Sequence, residues 1–466
     1  MITLKDDQVE LVDEAVEKVR MGQKNLLIQA CTGAGKTYIA TTLMQRAYNK
    51  GKTGWFIVPR KSLLEQTSKT FTKFGLFHSF IAANRYYNPK SRLWVCSSQT
   101  LSRRLDKVEA PDFAFIDETH YKAAGLDEII GWLQEHGTYI IGLTATPWRS
   151  DGVGLGCWYD DMICGKSINW LIENKRLSDF EIYQGVPYNA SQVKSSSGEY
   201  NQKDLNAAYA AQKHIVADTV KAYNKYAYGK ITVSFEVSIA QSEEMARVFN
   251  QNGIPAVHLD GNTPDHILKR ELTKLAKREI LVVTSCELMT FGFDLSSYTG
   301  LDVPIEAMID RQHTKSISKQ RQKDGRVLRY KDFPAIIIQQ TDNYSDDNHG
   351  APNIDIDWSL TDWKKTKKSK QERTIAVRTC SNCFKVHMAT AQKCPYCGHT
   401  HVTEDIKMVE GEFKKITREQ EAKVKKIKRM EVGQAKTVDD LKRIAKERGY
   451  KPFWIKKQMQ LKGIKS

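Results

Sequence analysis

Residues Ala30-Cys31-Thr32-Gly33-Ala34-Gly35-Lys36-Thr37 bring two glycines, a lysine and a hydroxyl into one short run. Glycines let backbone N–H groups curl around a phosphate. The apolar run Leu26–Gln29 precedes it and a helical stretch follows, so the loop opens a helix whose N-terminus favours an anion. In that setting Lys36 reaches the β- and γ-phosphates of a nucleoside triphosphate and Thr37 ligates Mg²⁺. The plainer reading, a glycine-rich turn without ligand, does not call for this strand–loop–helix context. Eighty residues beyond Thr37, Asp117-Glu118-Thr119-His120 directly follows the apolar run Phe113–Ile116. A carboxylate at a strand end beside a phosphate loop is where the second Mg²⁺ contact belongs, which is the role of Asp117. Glu118 is then placed to orient or deprotonate an attacking water.

A second kind of chemistry lies near the C-terminus. Cys380-x2-Cys383 and Cys394-x2-Cys397 are separated by ten residues. Two such knuckles fit a four-thiolate Zn²⁺ site, structural because four protein ligands leave no open position. A pair of redox dithiols is the rival reading. The other five cysteines are scattered, unlike a disulfide scaffold.

The elements that must position these groups follow from patterning. Short apolar runs at Leu26–Gln29, Trp55–Val58, Leu93–Cys96, Phe113–Ile116 and Tyr139–Leu143 read as buried parallel strands. Helical stretches such as Tyr38–Asn49 and Lys61–Lys73 lie between them. Residues 185–205, with Ser195-Ser196-Ser197-Gly198, read as a surface insertion or linker. A second series follows at Ile231–Phe235, Ala256–Leu259, Ile280–Thr284, Ala307–Ile309 and Ala335–Gln339, with a helical stretch at Gln241–Asn252. The chain of 466 residues thus parses as two α/β units followed by a lysine-rich region.

Charge sharpens this division. Residues 1–360 hold 43 basic and 43 acidic residues, whereas 361–466 hold 28 and 12 and carry the whole net +16. A neutral body with a basic tail points to a polyanion, most often nucleic acid. Tyr450, Phe453 and Trp454 in the tail are read as packing residues, with stacking on bases as the alternative. No apolar run reaches the ~18 residues of a membrane helix. The start carries Asp6 and Asp7 and no apolar signal core, so a cytoplasmic protein is expected.

Taken in order, these motifs resemble those of superfamily 2 helicases of the group with DEAH-like boxes. Leu4-Lys5-Asp6-Asp7-Gln8 resembles the upstream glutamine motif, which implies that Gln8 reads adenine. Pro59-Arg60 and Gln99-Thr100 match motifs that touch the nucleic-acid backbone. Thr144-Ala145-Thr146-Pro147 resembles the motif that links hydrolysis to movement. Val283-Thr284 with Thr290-Phe291-Gly292-Phe293-Asp294 resembles motif V, implying strand contact by Thr284 and nucleotide contact by Asp294. Gln322-Lys323-Asp324-Gly325-Arg326-Val327-Leu328-Arg329 fits the Q-x-x-G-R-x-x-R form of motif VI. Gln322, Arg326 and Arg329 are therefore expected to complete the catalytic set of Lys36, Asp117 and Glu118. Two arginines three apart on a helix share one face, which can meet the γ-phosphate. Three positions depart from the family pattern: Ala30 for the usual glycine, Thr119 in the acidic box, and a loosely matched segment at 232–238.

The resemblance implies an α/β fold of two RecA-like parallel-sheet lobes plus a small zinc ribbon and a basic helical tail. The expected division is 1–180, 181–360, 361–405 and 406–466. The nearest likeness is to phage-encoded helicases that unwind forked DNA and migrate branched junctions in replication and recombination. ATP, Mg²⁺ and Zn²⁺ are the expected cofactors, DNA the partner, a monomer the state, and the host cytoplasm the location if the chain is phage-encoded. An RNA helicase and a duplex translocase that does not separate strands are the alternatives. A scaffold with a dead ATPase is disfavoured because Lys36, Glu118, Arg326 and Arg329 are all present.

Overall fold

The computed structural model describes residues 4–362 except 185–187, 191, 197, 213, 287, 289–294, 296–298, 302 and 346–347. Beyond 362 it describes 377–379, 386–388, 414–416, 437–438, 440–442 and 459. The four paired cysteines, Asp294 and most of motif V lie outside the described residues.

Two seven-stranded sheets organise the body. The first holds β1 (Asn25–Gln29), β2 (Gly54–Val58), β3 (Ser79–Ile81), β4 (Leu93–Ser97), β5 (Phe113–Ile116), β6 (Tyr139–Thr144) and β7 (Asp161–Cys164). Their order is β3-β4-β2-β5-β6-β1-β7, all parallel. The second holds β8 (Phe180–Gln184), β11 (Thr232–Phe235), β12 (Ala256–His258), β13 (Val282–Ser285), β14 (Ala307–Asp310) and β15 (Ala335–Gln339), with a small hairpin of β9 (Ser195–Ser196) and β10 (Glu199–Tyr200) beside it. Its order is β12-β13-β11-β14-β15-β8, closed by the antiparallel edge strand β18 (Lys414–Ile416). A two-stranded pair, β16 (Val377–Thr379) and β17 (Val386–Met388), brackets the first cysteine knuckle.

Each sheet is buried on both faces, which is why its strands are apolar runs and not alternating ones. Helices α1 (Asp6–Arg20), α2 (Lys36–Asn49) and α3 (Lys61–Lys73) cover one face of the first sheet around Leu26, Ile28, Phe56 and Phe115. The short α4 (Ser98–Leu101) and α5 (Leu126–Glu135) cover the other around Leu27, Trp55 and Ile116. In the second lobe α6 (Ile168–Glu173), α8 (His214–Ala222), α9 (Ile239–Gln251), α10 (Asp265–Ala276) and α11 (Ile317–Val327) pack around strands β11, β13, β14 and β15, while α7 (Gln202–Ala210) joins a separate small cluster.

Two expectations need correction. Residues 185–205 are more than a linker: the hairpin and α7 build a small core of Tyr188, Leu205 and Tyr209 against Val237. Arg326 and Arg329 do not share a helix face, because α11 ends at Val327 and Leu328 is its C-cap. Arg329 lies beyond it, bridged to Leu177.

Candidate active site

In a parallel sheet the strands all end on one edge, and loops that leave that edge meet. The phosphate loop leaves β1, the acidic box leaves β5 and Thr144–Pro147 leaves β6, so the three converge. Gly33 and Gly35 hold φ of 93° and 84°, the left-handed region that glycine enters without cost. At Gly35 there is a second reason, since a Cβ would stand 2.4 Å from Gln8 Nε2. Gln8 donates through Nε2 to Ala34 O at 2.8 Å and accepts from Lys5 N through Oε1 at 3.0 Å. The structure thus places Gln8 as a brace between α1 and the phosphate loop. Lys36 is buried, and its Nζ donates to Ala30 O at 3.2 Å, so Ala30 does not prevent the loop from closing.

The acidic box is under strain. Glu118 holds φ of 47°, unusual for a residue with a side chain, and such strain collects at functional positions. Burial, with the neighbouring Glu118 charge, pushes the Asp117 carboxyl up to about 7. Burial pushes Glu118 the same way, but the Lys36, Arg326 and Arg60 charges outweigh it and hold its carboxyl below the usual range. Glu118 therefore stays ionised.

The second lobe completes the site. Gln322 Nε2 lies 3.4 Å from Glu118 Oε2 and 2.9 Å from His120 Nε2. Burial holds the His120 pKa down, so the ring is neutral. With Nε2 accepting from Gln322, Nδ1 donates to Thr144 Oγ1 at 2.8 Å, and that hydroxyl donates to Thr146 O at 2.6 Å. Thr146 Oγ1 in turn reaches Ser318 Oγ of α11 at 2.7 Å. The acidic box, the Thr144–Pro147 segment and motif VI thus form one hydrogen-bonded circuit across the cleft. Gly325 seats directly on the phosphate loop, where a Cβ would meet Thr32 Cβ at 2.1 Å.

Helix α11 is polar in sequence yet buried along most of its length. A buried ion pair, Lys323 Nζ to Asp310 Oδ1 at 2.6 Å, fixes it to the end of β14. Asn343 Nδ2 donates to Asp310, Gln312 O and Gln320 at 2.9–3.0 Å. Arg321 is held by Asp324 and by His349 O. The helix is therefore positioned by buried polar contacts to β14 and the segment after β15.

The residues expected at the strand-binding face divide. Pro59 and Arg60 are half-buried and Thr100 is partly exposed, while Gln99 is exposed. The Arg60 guanidinium lies 5.1 Å from the Tyr121 ring centroid, close to the acidic box. Thr284 is a correction: it is fully buried in β13 and donates its hydroxyl to Ser242 O, which leaves that side chain no atom for a strand. Sequence reasoning assigned no role to His120 or Ser318. His120 was visible as the last letter of the acidic box, and Ser318 as the residue one turn before Gln322 on the same helix face.

The residues present fit a nucleotide and Mg²⁺. The loop has its two positive-φ glycines, Lys36 lies near enough to draw the Asp117 carboxyl down against burial, and Thr32 Oγ1 is buried without a partner. Among the described residues no cluster of His, Cys, Asp and Glu forms a further metal site, and no helix is long and apolar enough to cross a membrane.

Residues 1–149 match the family described as Type III restriction enzyme, res subunit. A "51.5 kDa protein" of a Lactococcus phage is 29% identical over 381 residues, covering 81% of this chain and 79% of that one. IRC3 of Saccharomyces cerevisiae, a candidate ATP-dependent helicase by its name, is 26% identical over 346 residues. That match covers 70% of this chain and 49% of the yeast protein, so the chain spans about half the length of that relative. Among solved structures, the ATP-dependent Type ISP restriction-modification enzyme LlaBIII bound to DNA superposes with a TM-score of 0.53 at 14% identity. It covers 72% of this chain and 27% of that one, and the likeness is one of fold. These likenesses are to a restriction-enzyme family over the first 149 residues, to a phage protein and to a yeast protein named as a helicase, on a fold of two parallel-sheet α/β lobes.

Proposed function

We propose that this chain hydrolyses ATP in the cleft between its lobes and uses the cycle to move along, and unwind, DNA. The observation that carries the reading is the approach of Gln322 in the second lobe to Glu118 and His120 in the first. A catalytic set divided between two lobes is assembled only when the lobes close, which ties hydrolysis to movement.

In this reading the phosphate loop and Lys36 bind the triphosphate, and Gln8 holds the loop in shape. Thr37 and Asp117 would hold Mg²⁺, which would supply charge neutralisation on the phosphates. Glu118, kept ionised by the surrounding cations, accepts the proton of the attacking water, and Gln322 orients it. Arg326 stabilises charge on the transferring phosphoryl group. Arg329, off the helix, has the lesser claim. His120 passes the state of Glu118 to Thr144–Thr146 and on to Ser318. The strand would run over the sheet edge past Pro59, Arg60, Gln99 and Thr100, and the basic region beyond 362 would add phosphate contacts. Cys380, Cys383, Cys394 and Cys397 are proposed to hold one structural Zn²⁺.

The finer reading, branch migration of forked or junction DNA, rests on the order of the motifs and on the basic tail. It is tested by comparing ATPase stimulation and strand displacement on single-stranded DNA, duplex DNA, a fork, a four-way junction and RNA. Strongest activity on fork and junction supports it, and strongest activity on RNA overturns it.

A further inference from the structure

After β15 the chain does not end with the second lobe. His349 O accepts from Arg321 of α11 at 2.8 Å, and Tyr344 Oη donates to Asp324 of the same helix at 2.5 Å. Residues 353–358 then cross the cleft, and the chain docks on the first lobe. Gly156 N donates to Leu360 O at 2.9 Å, Trp148 Nε1 to Thr361 O at 2.9 Å and Gly154 N to Asp362 Oδ1 at 3.0 Å. The Trp358 ring packs on Trp148 with centroids 4.9 Å apart. The fit is close, since a Cβ at Gly154 would stand 2.2 Å from Leu360 O.

The first-lobe contacts all fall on the loop that follows Thr144–Pro147. From its other side the same loop is held by α11, because Ser318 Oγ donates to Trp148 O at 2.8 Å. Trp148 is buried, with its indole gripped by residues 358–361 and its carbonyl gripped by Ser318 of α11. We infer that residues 353–362 are a strap across the cleft, and that Trp148 is a positioning residue through which the strap keeps motif VI seated on the catalytic loops.

A tether that docks both ends of a cleft raises the effective concentration of one lobe at the other. It therefore shifts the population toward the closed form without touching the reacting atoms. Loosening it costs affinity for whatever needs the closed form, while turnover in the fully loaded enzyme is kept. The inference rests on the ATPase reading for its kinetic test and on geometry alone for its second test.

The experiment compares the full-length protein with Trp358→Ala/Asp362→Ala and with Trp358→Phe. Neither residue belongs to the catalytic set. The double variant should raise the half-saturating concentrations of ATP and single-stranded DNA about five- to tenfold with kcat within about twofold, and Trp358→Phe should restore most of the loss. Small-angle scattering without nucleotide should show a larger radius of gyration in the double variant alone. Unchanged half-saturation, or a fall in kcat at unchanged half-saturation, overturns the inference. If the wild-type protein has no ATPase at all, the ATPase reading fails and scattering decides the strap: equal radii overturn it.

Discussion

Gln322 Nε2 stands 2.9 Å from His120 Nε2, a hydrogen bond between residues 202 positions apart on opposite sides of the cleft. It has a direct energetic consequence. Residues in one hydrogen-bond network couple by ~0.5–3 kcal/mol in double-mutant cycles. His120→Ala and Gln322→Ala should each slow ATP turnover, and the double variant should be much less impaired than the product of the two. Fully multiplicative losses would show that the circuit carries no coupling.

Glu118→Gln keeps shape and removes the charge. The variant should still bind ATP and Mg²⁺ but hydrolyse ~10²–10⁴-fold more slowly, the usual cost of a lost general base. Single-turnover kinetics with separately measured nucleotide affinity makes the distinction. Lost binding with normal turnover of what binds would reverse the roles of Glu118 and Asp117.

Arg326 and Arg329 should no longer behave alike. Arg326 is on α11 and contributes to holding Glu118 ionised, while Arg329 is beyond the helix end. Arg326→Ala should therefore lower kcat by ~10³ or more if it stabilises phosphoryl charge. Arg329→Ala should lower it by much less. Equal losses would restore the symmetric expectation drawn from their spacing.

Gly325→Ala tests the seat of motif VI on the phosphate loop. The new methyl would meet Thr32 Cβ at 2.1 Å and Cγ2 at 2.4 Å, and a Cβ cannot swing away, so the lobes must part. Overpacking of this kind costs ~1–3 kcal/mol. Each lobe should stay folded by circular dichroism while ATP turnover falls at least tenfold. Wild-type turnover would mean that hydrolysis does not need this contact.

The zinc expectation is independent of the cleft. Freshly purified protein should contain one Zn²⁺ per chain, lost in Cys394→Ser/Cys397→Ser, with ATP turnover retained. Zinc-free wild-type protein by elemental analysis would favour the dithiol reading.

Much of this architecture is legible in the sequence, for physical reasons. Buried parallel strands such as Trp55–Val58 and Phe113–Ile116 must be apolar throughout, and the phosphate loop must have glycine where φ is positive. What is not legible depends on partners distant in the chain. Strand β3 has only three residues, and β7 begins with an aspartate that pairs with Lys18, so neither makes an apolar run. The burial of α11 is hidden because its charges are matched by Asp310, Asn343 and His349, residues set by other elements. Arg329 was misplaced because a three-residue spacing on a page cannot show that the helix stops at Val327. The crossing of residues 353–362 has no composition signal, since Trp358, Asp362 and two backbone carbonyls grip a loop that lies far earlier in the chain.

The account stands or falls on whether the cleft is an ATP site that answers to nucleic acid. The most direct test is steady-state ATP hydrolysis by the full-length protein, with and without single-stranded DNA, beside Lys36→Ala. Lys36 is the buried cation of the phosphate loop, and its loss should not disturb the strand-binding edge. Hydrolysis that rises severalfold or more with DNA in the wild-type protein, and is absent in a Lys36→Ala protein that still binds DNA, is the predicted result. Hydrolysis indifferent to DNA, or undiminished in Lys36→Ala, contradicts it.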